Sequence, residues 1–239
     1  ALALQAQTFV KPAMKVTETS FAVITDKGTY QACEADLKAY QETLGAEGLP
    51  TFIVYNDWKK PEDVKKVIAK LYKKNNLEGV VFVGNVPIAM IRKAQHMTSA
   101  FKMDEVEHPF RESSVPSDRF YDDFDLKFDF LKQDSVENNF FYYNLAIESP
   151  QKIQCDIYSA RIKAIDNGED AYAQISRYLK KAIAEHKSGN KLDQFFSYTG
   201  DGSYSNSMVA WTPEAHTIRE QMPKVFDREG RARFIRYNF

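Results

Sequence analysis

Acidic side chains are the residues in this sequence that most suggest chemistry. Asp118, Asp122, Asp123, Asp125 and Asp129 crowd into one short stretch, with Asp122, Asp123 and Asp125 as the candidate metal set. They supply hard oxygen ligands of the kind calcium takes, although their spacing is not that of an EF-hand and a solvated acidic hairpin explains them equally well. His96, His108, His186 and His216 are scattered and show no His-Glu-x-x-His or other metal-binding spacing, so surface or packing roles are expected. Cys33 and Cys155 are too few for a disulfide framework or a zinc site. Cys33 falls on the apolar stripe of a predicted helix and Cys155 alternates with Ile153 and Ile157, so both read as buried, inert thiols. Gly200-Asp201-Gly202-Ser203 has the composition of a phosphate-cradling turn, but no Gly-x-Gly-x-x-Gly or Walker pattern follows it, and no cofactor is required by what is present. Trp58, Trp211 and an aromatic stretch offer a surface for sugar or peptide, against the plainer alternative that they fill a core.

These residues must be held by a regular scaffold, and the apolar pattern predicts one. Phe21 to Thr25 is a short apolar run, followed after Asp26 to Gly28 by Tyr30, Cys33, Leu37, Tyr40 and Leu44 at helical spacing. Gly45 and Gly48 stop that helix, Phe52 to Tyr55 reads as a second strand, and Pro61 opens a helix carrying Val64, Val67, Ile68 and Leu71. Val80 to Val83 is a third strand, apolar throughout, as expected where helices cover both faces of a sheet. The fold class predicted is α/β: a doubly wound, mostly parallel sheet with helices on both faces.

The alternation fails over about 88–150, a stretch dense in aromatics and acids that reads as an insertion containing a hairpin. It returns with Ile153, Cys155 and Ile157 as a strand, then a long helix with Tyr172, Ile175, Tyr178, Leu179, Ala182 and Ile183 on its apolar face. Phe195 to Tyr198 predicts a further strand, Pro213 to Phe226 a helix, and Ala232 to Tyr237 the start of one more strand. Ligands of open α/β sheets bind at the carboxyl ends of strands, which directs attention to the loops after Val83 and Thr199.

Composition narrows the partners. The 32 Lys and Arg nearly balance the 33 Asp and Glu over 239 residues, for a formal net charge of -1, so no basic surplus is available for nucleic acid. No apolar run reaches the roughly 18 to 20 residues of a membrane-spanning helix. Residues 1–18 begin with small apolar residues and read as a leader or the remnant of an export signal, with the α/β domain over 19–239. An unpaired sheet edge near Phe239 would call for a covering partner or further chain.

Several segments, in order, resemble the catalytic domain of the gingipains, secreted cysteine peptidases with a caspase-like fold. Glu78 to Asn85 is similar to that family's apolar strand ending in Val-Gly-Asp, with Asn85 at the acid's place. Val115-Pro116-Ser117-Asp118-Arg119-Phe120-Tyr121 resembles the family's Thr-Asp-x-Tyr-Tyr segment, and Asp125-Leu126-Lys127 stands where the family has Asp-Gly-Asp. Ile157 to Arg161 is similar to the strand ending in Gly-Arg. Phe195 to Ser207 resembles the strand and loop that end in Ala-Asp-Ser-Tyr-Trp-Asn-Ser in lysine-specific gingipain, with Asp201 matching the acid.

The resemblance implies an incomplete caspase-like domain with an insertion, secreted or at the periplasmic or cell-surface side, acting on proteins or peptides. It assigns Asp201 as the acid that orients a catalytic histidine, whose tautomer and charged form such a carboxylate holds. The family's His-Gly and nucleophilic Cys have no counterpart among these residues, and His216 falls inside a predicted helix. Two readings follow: the leading portion of a gingipain-like cysteine endopeptidase, or a catalytically inactive relative that binds protein, peptide or glycan. A plain flavodoxin-like binding domain is a third, with no phosphate loop to speak for it.

Overall fold

A computed structural model describes residues 7–93, 106–150, 154–188 and 220. The chain divides into two compact units, Ala1–Asn190 and Lys191–Phe239, and every described residue except Glu220 belongs to the first. The strands and helix expected after residue 190, together with Asp201, His216 and Trp211, therefore lie outside the described residues apart from Glu220.

The first unit begins with β1 (Thr8–Val10), β2 (Ser20–Asp26), α1 (Lys27–Ala46), β3 (Thr51–Asn56), α2 (Pro61–Asn75) and β4 (Leu77–Val83). The next elements are β5 (Ile88–Lys93), β6 (Val115–Pro116), the single-turn α3 (Arg119–Asp122), β7 (Phe128–Gln133) and β8 (Phe140–Leu145). β9 (Tyr158–Ile162) and α4 (Ala171–Ser188) complete it. The result is a mixed α/β architecture with two mixed sheets, ordered β1-β3-β2-β4-β9 and β6-β5-β8-β7. In the first sheet β3, β2, β4 and β9 run parallel and only β1, from the stretch read as a leader, is antiparallel.

Local chemistry accounts for the element boundaries. Asp26 ends β2 in an extended conformation and its Oδ1 accepts the Thr29 N–H at 2.9 Å, capping α1. Pro61 occupies the first turn of α2, where a missing N–H is harmless, with Glu62 and Asp63 beside it and Lys73 and Lys74 in the last turn. Asn76 then turns left-handed, φ 50°, to end the helix.

Alternate residues of the first sheet serve opposite faces. Val23, Ile53, Val81 and Val83 meet Tyr30, Cys33, Leu37 and Leu44 of α1 and Ile175 and Leu179 of α4. Ala22, Ile24, Phe52, Val54, Val80 and Phe82 meet Val64, Val67, Ile68 and Leu71 of α2 on the other side. Helices thus cover both faces, which is why these strands tolerate continuous apolar sequence. Each fully buried Leu or Ile in such layers contributes about 2 kcal/mol.

The segment from 88 to 150 is more than a hairpin. β7 and β8 do form an antiparallel pair, but β8 also runs parallel to β5, and β5 pairs with β6, giving a four-stranded sheet of its own. Its inner face sends Ala89, Ile91, Phe141 and Tyr143 into the layer under α2, where Phe120, Tyr143 and Phe128 pack ring against ring. The aromatic run Phe140 to Tyr143 alternates accordingly, with Tyr142 joining Ile88, Met90 and Phe110 on the opposite face. Asp134 shapes the hairpin turn: Oδ1 accepts the Val136 and Glu137 N–H groups at 2.8 and 2.9 Å, and Oδ2 accepts the Tyr142 hydroxyl at 2.6 Å.

Three expectations are corrected. The strand expected over Ile153 to Ile157 lies at Tyr158–Ile162 instead, because the N–H groups of Gln154, Asp156 and Ile157 are already donated to Asp123 Oδ2 and the Asp122 carbonyl. Cys155 therefore sits outside any ladder and is exposed, not buried, whereas Cys33 is buried as expected. The apolar face of α4 is also narrower than its sequence suggests: Ile175 and Leu179 are buried, while Tyr172 and Tyr178 remain 41% and 53% exposed.

Candidate functional site

Two places gather polar side chains around the first sheet. One is a cavity of about 320 Å³ at the carboxyl ends of β2, β3 and β4, lined among others by Asp26, Asp57, Trp58, Asn85, Asn138 and Asn139. The loop after Val83, expected to matter, lies here, and so does the hairpin turn between β7 and β8. Asp26 organises the rim. Its second oxygen accepts the Asn85 N–H at 2.7 Å while its first caps α1, so one carboxylate ties the end of β4 to the start of a helix.

Gly84 makes that tie feasible. Its φ is +79°, a left-handed conformation that side chains disfavour. A Cβ there would also lie 2.1 Å from Thr29 Oγ1 and 2.6 Å from Asp26 Oδ2. Trp58 is fixed beside the rim by its indole N–H, which donates to the Thr25 carbonyl at 2.8 Å. Lys59 pairs with Asp57 at 2.6 Å, and Asn139 Nδ2 donates to the Val86 carbonyl at 3.0 Å.

The second place is an ionic cluster that joins α3 to β9. Arg161 grips Asp118 through two nitrogens, at 2.7 and 3.3 Å, and donates further to the carbonyls of Val86 at 2.9 Å and Pro87 at 3.3 Å. Its guanidinium also lies over the Phe82 ring. Next to it Asp122 Oδ2 accepts from Arg119 and from the Ser159 hydroxyl, each at 2.5 Å, and Arg119 also reaches Cys155 Sγ. Asp122 is fully buried and its other oxygen, Oδ1, has no hydrogen-bond partner among the described residues. Burial pushes its carboxyl up to about 6, against the opposing pull of the Ser159 hydrogen bond and the Arg119 charge. Lys65 of α2 faces the same cluster, donating to the Asp123 carbonyl at 3.2 Å, and desolvation lowers its pKa.

The candidate metal residues are thus parted. Asp122 serves Arg119 and Ser159, Asp123 accepts the N–H groups of Asp125 and Gln154 at 3.2 and 2.9 Å, and the Asp125 side chain is exposed. Among the described residues no group of three or more His, Cys, Asp or Glu side chains comes together to hold a metal ion. His108 and His186 lie at the surface, beside Glu112 and Glu47. His96 and the orienting acid Asp201 lie outside the described residues.

Asn85 entered the sequence analysis only through the family resemblance, and Asp26 and Asn138 were not singled out, although two signals pointed to them. Asp26 stands directly before a helix, as a cap does, and Asn138-Asn139 ends a turn between apolar runs. No described helix is long and apolar enough to cross a membrane. Comparison of the chain with protein-family models, curated proteins and solved structures finds no match.

Proposed function

We propose that this chain is the leading portion of a gingipain-like cysteine endopeptidase acting on proteins or peptides, with a caspase-like fold. The observation that carries the reading is the reach of Arg161. It ends the Ile157 to Arg161 segment, bonds Asp118 of the Val115 to Tyr121 segment, and donates to Val86 and Pro87 just after the Glu78 to Asn85 segment. Three stretches that carry the resemblance are therefore neighbours in space. The parallel order β3-β2-β4-β9, with helices on both faces, supports the same reading.

In this reading the chain supplies the scaffold and one member of the catalytic set. Asp201 orients a histidine contributed by a further segment, a cysteine thiolate attacks the scissile carbonyl, and the histidine protonates the leaving amine. Cys33 is buried among the apolar residues of α1, and in this reading the nucleophile, like the histidine, comes with the further segment, as the resemblance implies. The protein acts outside the cell or at its surface, as the family does.

The test is a thiol-directed peptide probe applied to the natural full-length protein, with peptide cleavage assayed in parallel. Labelling and cleavage are expected, with Asp201→Asn lowering kcat about a hundredfold or more while KM changes little. Absence of both labelling and cleavage would instead favour a catalytically inactive relative. One observation speaks for that second reading: Leu126, where the family has the Gly of Asp-Gly-Asp, is buried in the apolar layer.

A further inference from the structure

The cavity at the carboxyl ends of β2, β3 and β4 is not used by the peptidase reading, and its chemistry points to a particular class of ligand. Four charged side chains line it, Asp26 and Asp57 against Lys27 and Lys59, so their charges cancel. Lys59 is further neutralised by its contact with Asp57 at 2.6 Å. The positive end of α1, which would otherwise attract a phosphate, already has the Asp26 carboxylate on the Thr29 N–H at 2.9 Å. An incoming anion would meet that carboxylate first.

What remains available is neutral and rich in hydrogen bonding. The side-chain amides of Asn85 and Asn138 line the cavity, are exposed, and have no hydrogen-bond partner among the described residues. Each amide offers two donors and an acceptor, the complement of a pair of adjacent hydroxyls, which both donate and accept. Trp58, half-buried and held by its bond to the Thr25 carbonyl, adds a rigid apolar plate whose ordering cost is already met by the fold. A volume of about 320 Å³ is at the small end for ligand sites.

We infer that this cavity binds a neutral saccharide of one or two rings, with Trp58 against the C–H face of a sugar and Asn85 and Asn138 holding its hydroxyls. The inference is independent of whether the chain belongs to a peptidase. A peptide would also use amide contacts, but it would leave the hydroxyl-matching pair of asparagines and the fixed aromatic plate without a shared role.

The experiment is titration of the purified chain with neutral mono- and disaccharides of glucose, galactose, mannose and N-acetylglucosamine. Inorganic phosphate and trialanine serve as rival probes, and binding is read by calorimetry and ligand-observed NMR. At least one saccharide is expected to bind, with affinity falling about tenfold or more in Asn85→Ala and in Asn138→Ala. Both variants should keep the wild-type Tm, because neither side chain is bonded to a described residue. Trp58→Phe keeps a ring in place should Trp58→Ala fail to fold, and it should weaken binding less than the asparagine changes. The inference is overturned if no saccharide in the panel binds, if the asparagine variants bind as the wild type does, or if phosphate or trialanine binds in preference.

Discussion

The two sheets of this protein are held by different physics. In β2, β3 and β4 the backbone is buried between helices, and Ala22, Val23, Ile24, Ile53, Val54, Val80 and Phe82 are completely shielded. Their contribution comes from apolar area, which carries no titrating group and so does not change with protonation. The sheet formed by β5 to β8 meets that core through aromatic rings but is fastened to it by polar bonds: Tyr143 to Glu62 at 2.9 Å, Tyr121 to the Pro87 carbonyl at 2.8 Å, and the Arg161–Asp118 pair. Directional bonds confer register where apolar packing alone would permit sliding, and they make that half of the unit responsive to protonation.

The contrast can be sharpened most strongly by substitution in the apolar layers. Leu37→Ala, at a fully buried position between α1 and the first sheet, should cost about 2 to 5 kcal/mol in urea unfolding, equally at pH 5 and pH 7. Arg161→Ala should follow at about 2 to 3 kcal/mol, since it leaves Asp118 without its cation and takes one of two donors from each of the Val86 and Pro87 carbonyls, which keep Asn139 and Tyr121. Hydrogen exchange should then show β5 to β8 opening before β2 to β4; uniform loss of protection across both sheets would break the comparison.

A smaller effect follows from Asp122. Its folded pKa of about 6 lies above the ordinary carboxylate value, so between about pH 4 and 6 the folded protein holds a proton that the unfolded chain has released. Stability is therefore greatest below that window, falls as pH rises through it, and is level above it, by about 1 to 2 kcal/mol. Asp122→Asn should flatten that slope, as read from unfolding midpoints at intervals across the window. Asp134 acts in the opposite sense at lower pH: its hydrogen bonds from Tyr142 and the turn hold it at about 2, so its contribution is lost as pH falls below about 4. The smallest effect expected is that of calcium. Adding or chelating it should leave Tm unchanged within error, because Asp122 and Asp123 are taken by protein donors; a rise in Tm of several degrees would show that the acids rearrange around the ion.

Legibility differed between the two sheets for the same reason. Apolar periodicity is a local property of the chain, and it reports Phe21 to Thr25, the stripe of α1 and the Pro61 start of α2 to within a residue or two of their observed bounds. The insertion resisted because its pattern is not set by one face against water. Phe120, Tyr121, Phe141 and Tyr143 are buried beside Asp122 and Asp123, so acidic and aromatic residues that look like a solvated hairpin share one interior. Cys155 shows the failure in miniature: alternation with Ile153 and Ile157 suggested a strand, but Asp122 and Asp123 claim the N–H groups that a strand would need.

Sequence by itself determined the α/β class, the strands β2, β3 and β4 and the Pro61 start of α2, because these depend on side-chain period and on neighbours a few residues away. Only the tertiary structure decided which acids are buried, that Arg161 finds Asp118, and that Asp26, Trp58, Asn85 and Asn138 meet around one cavity. Those groups are separated along the chain by tens of residues. Their chemistry is set by distance, desolvation and charge in space, and none of these is written in the spacing of residues along a line.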